Sequence, residues 1–226
     1  MLNTTIHTLI FDLDNTLIDR NSAMQRTMDD WLLTQGYEDP QKQTALNDIM
    51  QYDNWGYTDR LTFCTWVLQN YARPHSGNTT PQQLLQIILQ NIVHHVQPNP
   101  SVNAAMQAVS TSFRCVLATN GGGSSQRGRL RQAQLDPYFQ PNAIFVSGEM
   151  GTEKPDLQFY QKIIYELQLD PASAMMIGDN PVNDIQAAQA CGLQTCWVSH
   201  DREPSGNTIP NRIIKNITEI GIWRQQ

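Results

Sequence analysis

The sequence predicts an α/β fold, a three-layer core built on a parallel sheet and interrupted early by an all-helical insertion. Two observations carry this. From about residue 99 onward, short apolar runs alternate with helical patterns, which marks right-handed βαβ units on a parallel sheet. Before that point a single strand-like run, Thr8 to Phe11, stands alone, and no second one begins until Phe113. A third observation points to the working end of the sheet. Four apolar runs each stop at a polar cluster, and an open parallel sheet places its functional groups beyond the carboxyl ends of its strands.

The first strand, about Thr8 to Phe11, runs into Asp12-Leu13-Asp14-Asn15-Thr16. The insertion follows, at residues 17–98. Asn21 to Leu33 reads as a helix with Met24, Met28, Trp31 and Leu32 on one side, and Asp59 to Tyr71 as another with Phe63, Trp66, Val67 and Asn70 at similar intervals. Thr80-Pro81-Gln82-Gln83 supplies an N-cap, a proline at the first helical position and a capping-box glutamine. Breaks fall at Gly36 to Pro40, Asp53 to Gly56, Pro74 to Asn78 and Pro98 to Pro100.

The core resumes with a helix from Ser101 to Val109. Strands at Phe113 to Ala118, Ala143 to Val146, Ala174 to Ile177 and Gln194 to Val198 then alternate with helices at Ser125 to Leu135, Leu157 to Leu167 and Asp184 to Cys191. Residues 1–16 and 99–226 thus form the core domain and residues 17–98 the inserted one.

Of 226 residues, 40% are hydrophobic and 16% charged, the balance of a soluble globular protein. The net charge is −6 and no basic stripe appears, which argues against a nucleic acid polymer as partner. The first residues lack a charged segment followed by an apolar one, and no apolar run is long enough to cross a bilayer, so the expected location is cytoplasmic, without a membrane partner. Cys64, Cys115, Cys191 and Cys196 form no C-x-x-C pair and are expected as reduced thiols in or near the core.

Asp12 and Asp14, two apart at a strand end, face one site, where one carboxylate can attack phosphorus and the other protonate a leaving oxygen. Asp-x-Asp by itself is more readily a solvated strand-ending turn. Asp179 and Asp184 offer oxygen ligands for Mg²⁺, although Asp184 also suits the N-cap of the next helix. Thr119 and Asn120 precede Gly121-Gly122-Gly123 and a helix start that would suit a phosphate. Gln126 occupies the place of the third glycine of a dinucleotide fingerprint, and no Gly-Lys-Ser/Thr is present. Lys154, before Pro155, can neutralise a phosphoryl oxygen or a carboxylate. Each signal alone is weak; the ordered set, one member per strand end, points to a metal-dependent hydrolase of phosphate groups.

In these four clusters the sequence resembles the haloacid dehalogenase superfamily of phosphatases over almost the whole chain. Asp12-Leu13-Asp14-Asn15-Thr16, Thr119-Asn120-Gly121, Lys154-Pro155 and Gly178-Asp179-Asn180-Pro181-Val182-Asn183-Asp184 match its four motifs in order. Gly192-Leu193-Gln194-Thr195-Cys196-Trp197 is similar to pyrimidine-nucleotidase-like members. The resemblance implies a Rossmann-like catalytic core with a helical cap inserted after the first motif. It further implies that Asp12 is the nucleophile, Asp14 the general acid and base, and Lys154 part of the phosphate cage with Thr119 and Asn120. Mg²⁺ is implied as the cofactor, held around Asp12, Asp14 (through its backbone carbonyl), Asp179 and Asp184. The second aspartate favours phosphate esters over carbon–halogen bonds.

Cap residues are expected to choose the substrate, a small phosphorylated metabolite such as a nucleoside monophosphate. Arg20, Trp55, Tyr57, Arg60 and Trp66 are the candidates, with Trp66 better explained as cap core. Two other readings share the catalytic set or the fold: a phosphotransferase of the sugar phosphomutase kind, and a non-catalytic phosphate-binding regulator.

Overall fold

The computed structural model describes residues 5–73, 79–203 and 209–223. The break expected at Pro74 to Asn78 lies outside the described residues. The chain divides into two compact units, residues 1–18 with 98–226, and residues 19–97.

The first unit is an α/β structure around a six-stranded sheet of β1 (Thr8–Phe11), β2 (Arg114–Thr119), β3 (Ile144–Val146), β4 (Ala174–Gly178), β5 (Gln194–Val198) and β6 (Arg212–Ile214). All strands are parallel, in the order β3-β2-β1-β4-β5-β6. β6 has no counterpart in the expected strands. Three residues long, with Arg212 and Ile213 exposed, it lacks the continuous apolar signature of a strand covered on both faces.

β1 is central. Phe11 pairs with Leu117 on one side and Ile177 on the other, so the clusters after these three strands emerge at one edge of the sheet. Side chains alternate between faces along each strand. Ile10, Val116 and Met176 pack with Phe159, Tyr160 and Ile163 of a helix at Leu157–Leu167, while Leu9, Phe11, Leu117 and Ile177 are equally buried in the alternate register. Both faces are therefore covered, and truncating any of these side chains to alanine would cost about 2–5 kcal/mol.

The second unit contains α1 (Arg20–Thr34), α2 (Gln41–Asp53), α3 (Arg60–Tyr71) and α4 (Pro81–His95). Its core is built from apolar residues at helical spacing, among them Met24, Met28, Leu32, Ile49, Phe63, Val67, Leu84, Ile88 and Ile92. Thr80 and Gln83 form the expected reciprocal capping box at the start of α4.

The remaining helices belong to the first unit: α5 (Pro100–Ser110), α6 (Gly123–Gln132), α7 (Ser147–Met150), α8 (Leu157–Leu167) and α9 (Ala187–Ala190). The helix expected from Asp184 starts earlier, as a π-helical segment at Pro181–Gln186 that leads into α9. Its N-cap is Asn180, whose side chain accepts from the amides of Val182 and Asn183. Asp184 is thus not the cap; it lies inside the segment, fully buried. Cys64, Cys115 and Cys196 are buried and Cys191 partly so, all four as free thiols.

Candidate active site

β1 delivers Asp12 directly. Its amide donates to the Ile177 carbonyl, which extends the sheet pairing one residue beyond the strand. The chain then turns tightly: Asn15 has φ of 59°, and its amide donates to the Ile18 carbonyl. His200 Nε2 donates to the Asn15 carbonyl at 2.6 Å and so fixes the far side of the turn.

Lys154 links the clusters. Its Nζ donates to Asp12 Oδ1 at 2.7 Å and to Asp184 Oδ1 at 2.6 Å, and all three side chains are buried. Asn120 holds the lysine's own backbone from both sides: its Nδ2 donates to the Lys154 carbonyl at 2.7 Å and its Oδ1 accepts from the Lys154 amide at 2.9 Å. The Lys154-Pro155 peptide bond is cis. The Asn120 side chain is therefore committed to the loop.

Asp184 Oδ2 accepts from the Asn180 amide at 3.0 Å. That closeness requires Gly178, because a Cβ there would lie 2.3 Å from Asp184 Cγ. Asp179 is held by residues that the sequence reading missed. Trp197 Nε1 donates to its carbonyl at 2.9 Å, and Arg202 Nη2 donates to the same carbonyl at 2.8 Å and to Oδ2 at 3.2 Å.

One oxygen each of Asp12, Asp179 and Asp184 lies within 4.8 Å of the others. Burial pushes the Asp12 carboxyl well above the ordinary carboxylate range; Lys154 opposes this without cancelling it, and Asp184 and Asp179 add to the rise. Burial also works against the Lys154 ammonium, but Asp12 and Asp184 outweigh it and keep the amine protonated above its ordinary value. Three buried carboxylates exceed the positive charge that Lys154 and Arg202 bring to them. Such an all-oxygen, negatively charged pocket fits Mg²⁺.

The Asp14 side chain does not join that trio. It turns to Arg129, whose Nη1 donates to Oδ1 at 2.8 Å and Oδ2 at 2.6 Å, and to Gln126 Nε2 at 3.2 Å. A metal role for Asp14 would therefore use its backbone. Gln126 Nε2 also donates to Thr119 Oγ1 at 2.7 Å and to the Asn120 carbonyl at 2.8 Å. Gln126 and Arg129 are the other missed residues. The available signal was two polar side chains three apart on the helix side that also carries Leu130.

In the helical unit, Asp53 is fully buried and accepts from both Arg20 and Arg60. These two arginines, expected as substrate contacts, thus each have an internal carboxylate partner. Trp66, only partly buried, stacks on Tyr52 within the helical unit, with centroids 4.2 Å apart. Trp55 and Tyr57 are 37% and 41% exposed, and Trp55 sits in a left-handed turn at φ 60°.

The family model for haloacid dehalogenase-like hydrolases matches residues 9–198. The chain belongs to this family. Over 84% of its length and 82% of the relative's, it is 29% identical to the pyrimidine 5'-nucleotidase PynA of Streptococcus pneumoniae. Human N-acylneuraminate-9-phosphatase is 24% identical across 95% of the chain and 92% of its own length. The solved structure of the HAD-hydrolase YfnB of Bacillus subtilis, bound to magnesium, superposes with a TM-score of 0.74 at 24% identity, covering 95% of the chain and 96% of its own. With phosphatase-named relatives along nearly its whole length, this haloacid dehalogenase-like hydrolase is a phosphatase. No described helix is long and apolar enough to cross a membrane.

Proposed function

We propose that this hydrolase cleaves small phosphate monoesters, with Mg²⁺, through a phosphoryl group carried transiently on Asp12. The observation that supports this most directly is the Lys154 ammonium between Asp12 and Asp184, beside Asp179. A carboxylate nucleophile must approach a phosphoryl group that is itself negatively charged, and buried cations reduce that repulsion.

In the first step an Asp12 oxygen attacks phosphorus while the bond to the leaving oxygen breaks. Asp14 gives its proton to that oxygen and is left as a carboxylate. In the second step Asp14 takes a proton from water as the water oxygen attacks the phosphoryl group; phosphate leaves and Asp12 is regenerated. Thr119 and the Asn120 amide hold phosphoryl oxygens, and Lys154 completes the cage. Asp12, Asp179 and Asp184, with the Asp14 carbonyl, would hold Mg²⁺, which supplies charge neutralisation and orientation of the phosphoryl group.

The substrate we favour is a nucleoside monophosphate, met by Trp55 and Tyr57, in a cytoplasmic setting that suits four free thiols. Similarity to PynA and the exposure of both aromatics support this. The test is phosphate release from nucleoside monophosphates, sugar phosphates and 4-nitrophenyl phosphate. A folded Asp12→Asn variant should lose at least about a thousandfold in turnover on all of them. Near-normal turnover in that variant would rule out the Asp12 pathway.

A further inference from the structure

α6 begins just past Thr119-Asn120-Gly121 and buries two polar side chains, Gln126 at 1% and Arg129 at 5% exposure. Residues three apart on a helix share a face, and both of these reach Asp14. The ion pair of Arg129 among the described residues is the one with Asp14, and its Nε has no hydrogen-bond partner there. A buried guanidinium costs stability unless its charge is met, and an apolar residue at this place would simply extend the buried side of α6. The arrangement is therefore explained by what Arg129 does to Asp14.

We propose that Arg129 is a positioning residue for proton transfer by Asp14. This role rests on the phosphatase reading above. An aspartate beyond a strand end has several rotamers open to it, and transfer to a leaving oxygen requires one of them. One Arg129 nitrogen spans both carboxylate oxygens, and Gln126 holds Oδ2 while also binding the Thr119 hydroxyl. Neighbouring residues of one helix thus set both the proton donor and the hydroxyl that grips the phosphoryl group. The Asp14 side chain remains 25% exposed, open to a leaving group.

The experiment measures kcat/KM with Mg²⁺ for 4-nitrophenyl phosphate, whose leaving group needs little protonation, and for an alkyl phosphate, whose leaving group needs a full proton. Wild type, Arg129→Met, Arg129→Lys, Asp14→Asn and the double variant Asp14→Asn/Arg129→Met are compared, with thermal melts to establish folding. Arg129→Gln replaces the methionine variant if that one does not fold. Arg129→Met should lose about tenfold or more on the alkyl ester and less than about threefold on the aryl ester, within the range for general acid catalysis. Arg129→Lys, which restores a cation, should recover most of the alkyl activity. The double variant should be no slower on the alkyl ester than Asp14→Asn alone, because both changes act through one carboxylate. Equal losses on the two esters, or additive losses in the double variant, would overturn the role while leaving the phosphatase reading in place. A folded wild type inert on every phosphate ester would overturn the phosphatase reading and this role together.

Discussion

The Lys154 ammonium lies 2.7 Å from Asp12 Oδ1, although the two residues are 142 positions apart in the chain. Asp12 ends β1, and Lys154 precedes a cis peptide bond in the loop between α7 and α8. Asn120, at the end of β2, fastens that loop by its backbone, so the pairing depends on two strands and a loop being in register.

Replacing Lys154 with methionine should show how much rests on that contact. The change leaves Asp12 and Asp184 buried without their shared cation. Breaking a buried pair from one side typically costs about 3–5 kcal/mol. Chemical denaturation should give a loss in this range, and added Mg²⁺ should recover part of it. A loss below about 1 kcal/mol would mean that the lysine contributes little to holding the carboxylates.

Mg²⁺ should stabilise the folded protein. A cation that binds only the native state adds about 2.7 kcal/mol at one hundred times its Kd, roughly 5–10 °C in Tm for a chain of this size. The rise should vanish in Asp179→Asn, and phosphatase activity should vanish on exhaustive chelation. A Tm unmoved by Mg²⁺ in wild type would contradict the assignment of Asp12, Asp179 and Asp184 as its ligands.

Asp53 should make the helical unit acid-sensitive. Burial alone would raise its carboxyl, but Arg20 and Arg60 outweigh burial and hold it below the ordinary value. Its stabilising contribution is therefore complete above the unfolded aspartate pKa of about 3.9 and is lost as pH falls through the lower folded value. Asp53→Asn should cost about 3–5 kcal/mol at neutral pH, because two guanidinium groups lose their carboxylate. Tm measured from pH 6 downward should fall more steeply below about pH 4 in wild type than in the variant. Parallel profiles would show that Asp53 does not carry the effect.

Trp55→Ala should separate substrate selection from chemistry. Asn54, Trp55 and Gly56 all have positive φ, and non-glycine residues held there tend to cluster at ligand contacts. If the indole stacks on a base, the variant should raise KM for a nucleoside monophosphate by about tenfold, since base–aromatic stacking is worth ~1–3 kcal/mol. Acetyl phosphate, which has no base, should be spared. Equal effects on both compounds would sink the stacking role.

Much of the fold was legible because local signals agreed. β1, β5 and α8 lie where apolar runs and helical spacing put them, and the Thr80-Pro81-Gln83 cap is written in consecutive residues. β6 was illegible because three residues at a sheet edge, two of them exposed, carry almost no periodic signal. For Asp184 the sequence left two roles open, metal ligand and helix N-cap; the structure gives the cap to Asn180, with Pro181 at the start of the segment, and buries Asp184 inside it.

By itself, the sequence determined which residue types gather beyond the strands: Asp12, Thr119 and Asp179 stand at the ends of β1, β2 and β4, and Lys154 lies farther on, past β3; a parallel sheet brings such ends together. Only the tertiary structure decided how their charges are shared. It joined Lys154 to both Asp12 and Asp184, turned Asp14 away to Arg129 and Gln126, fastened Asp179 with Trp197 and Arg202, and gave Arg20 and Arg60 a buried carboxylate in Asp53. The physical reason is that strand periodicity is a local property of the chain. The partner of a buried charge is whatever opposite charge the packing brings within about 3 Å, often more than a hundred residues away.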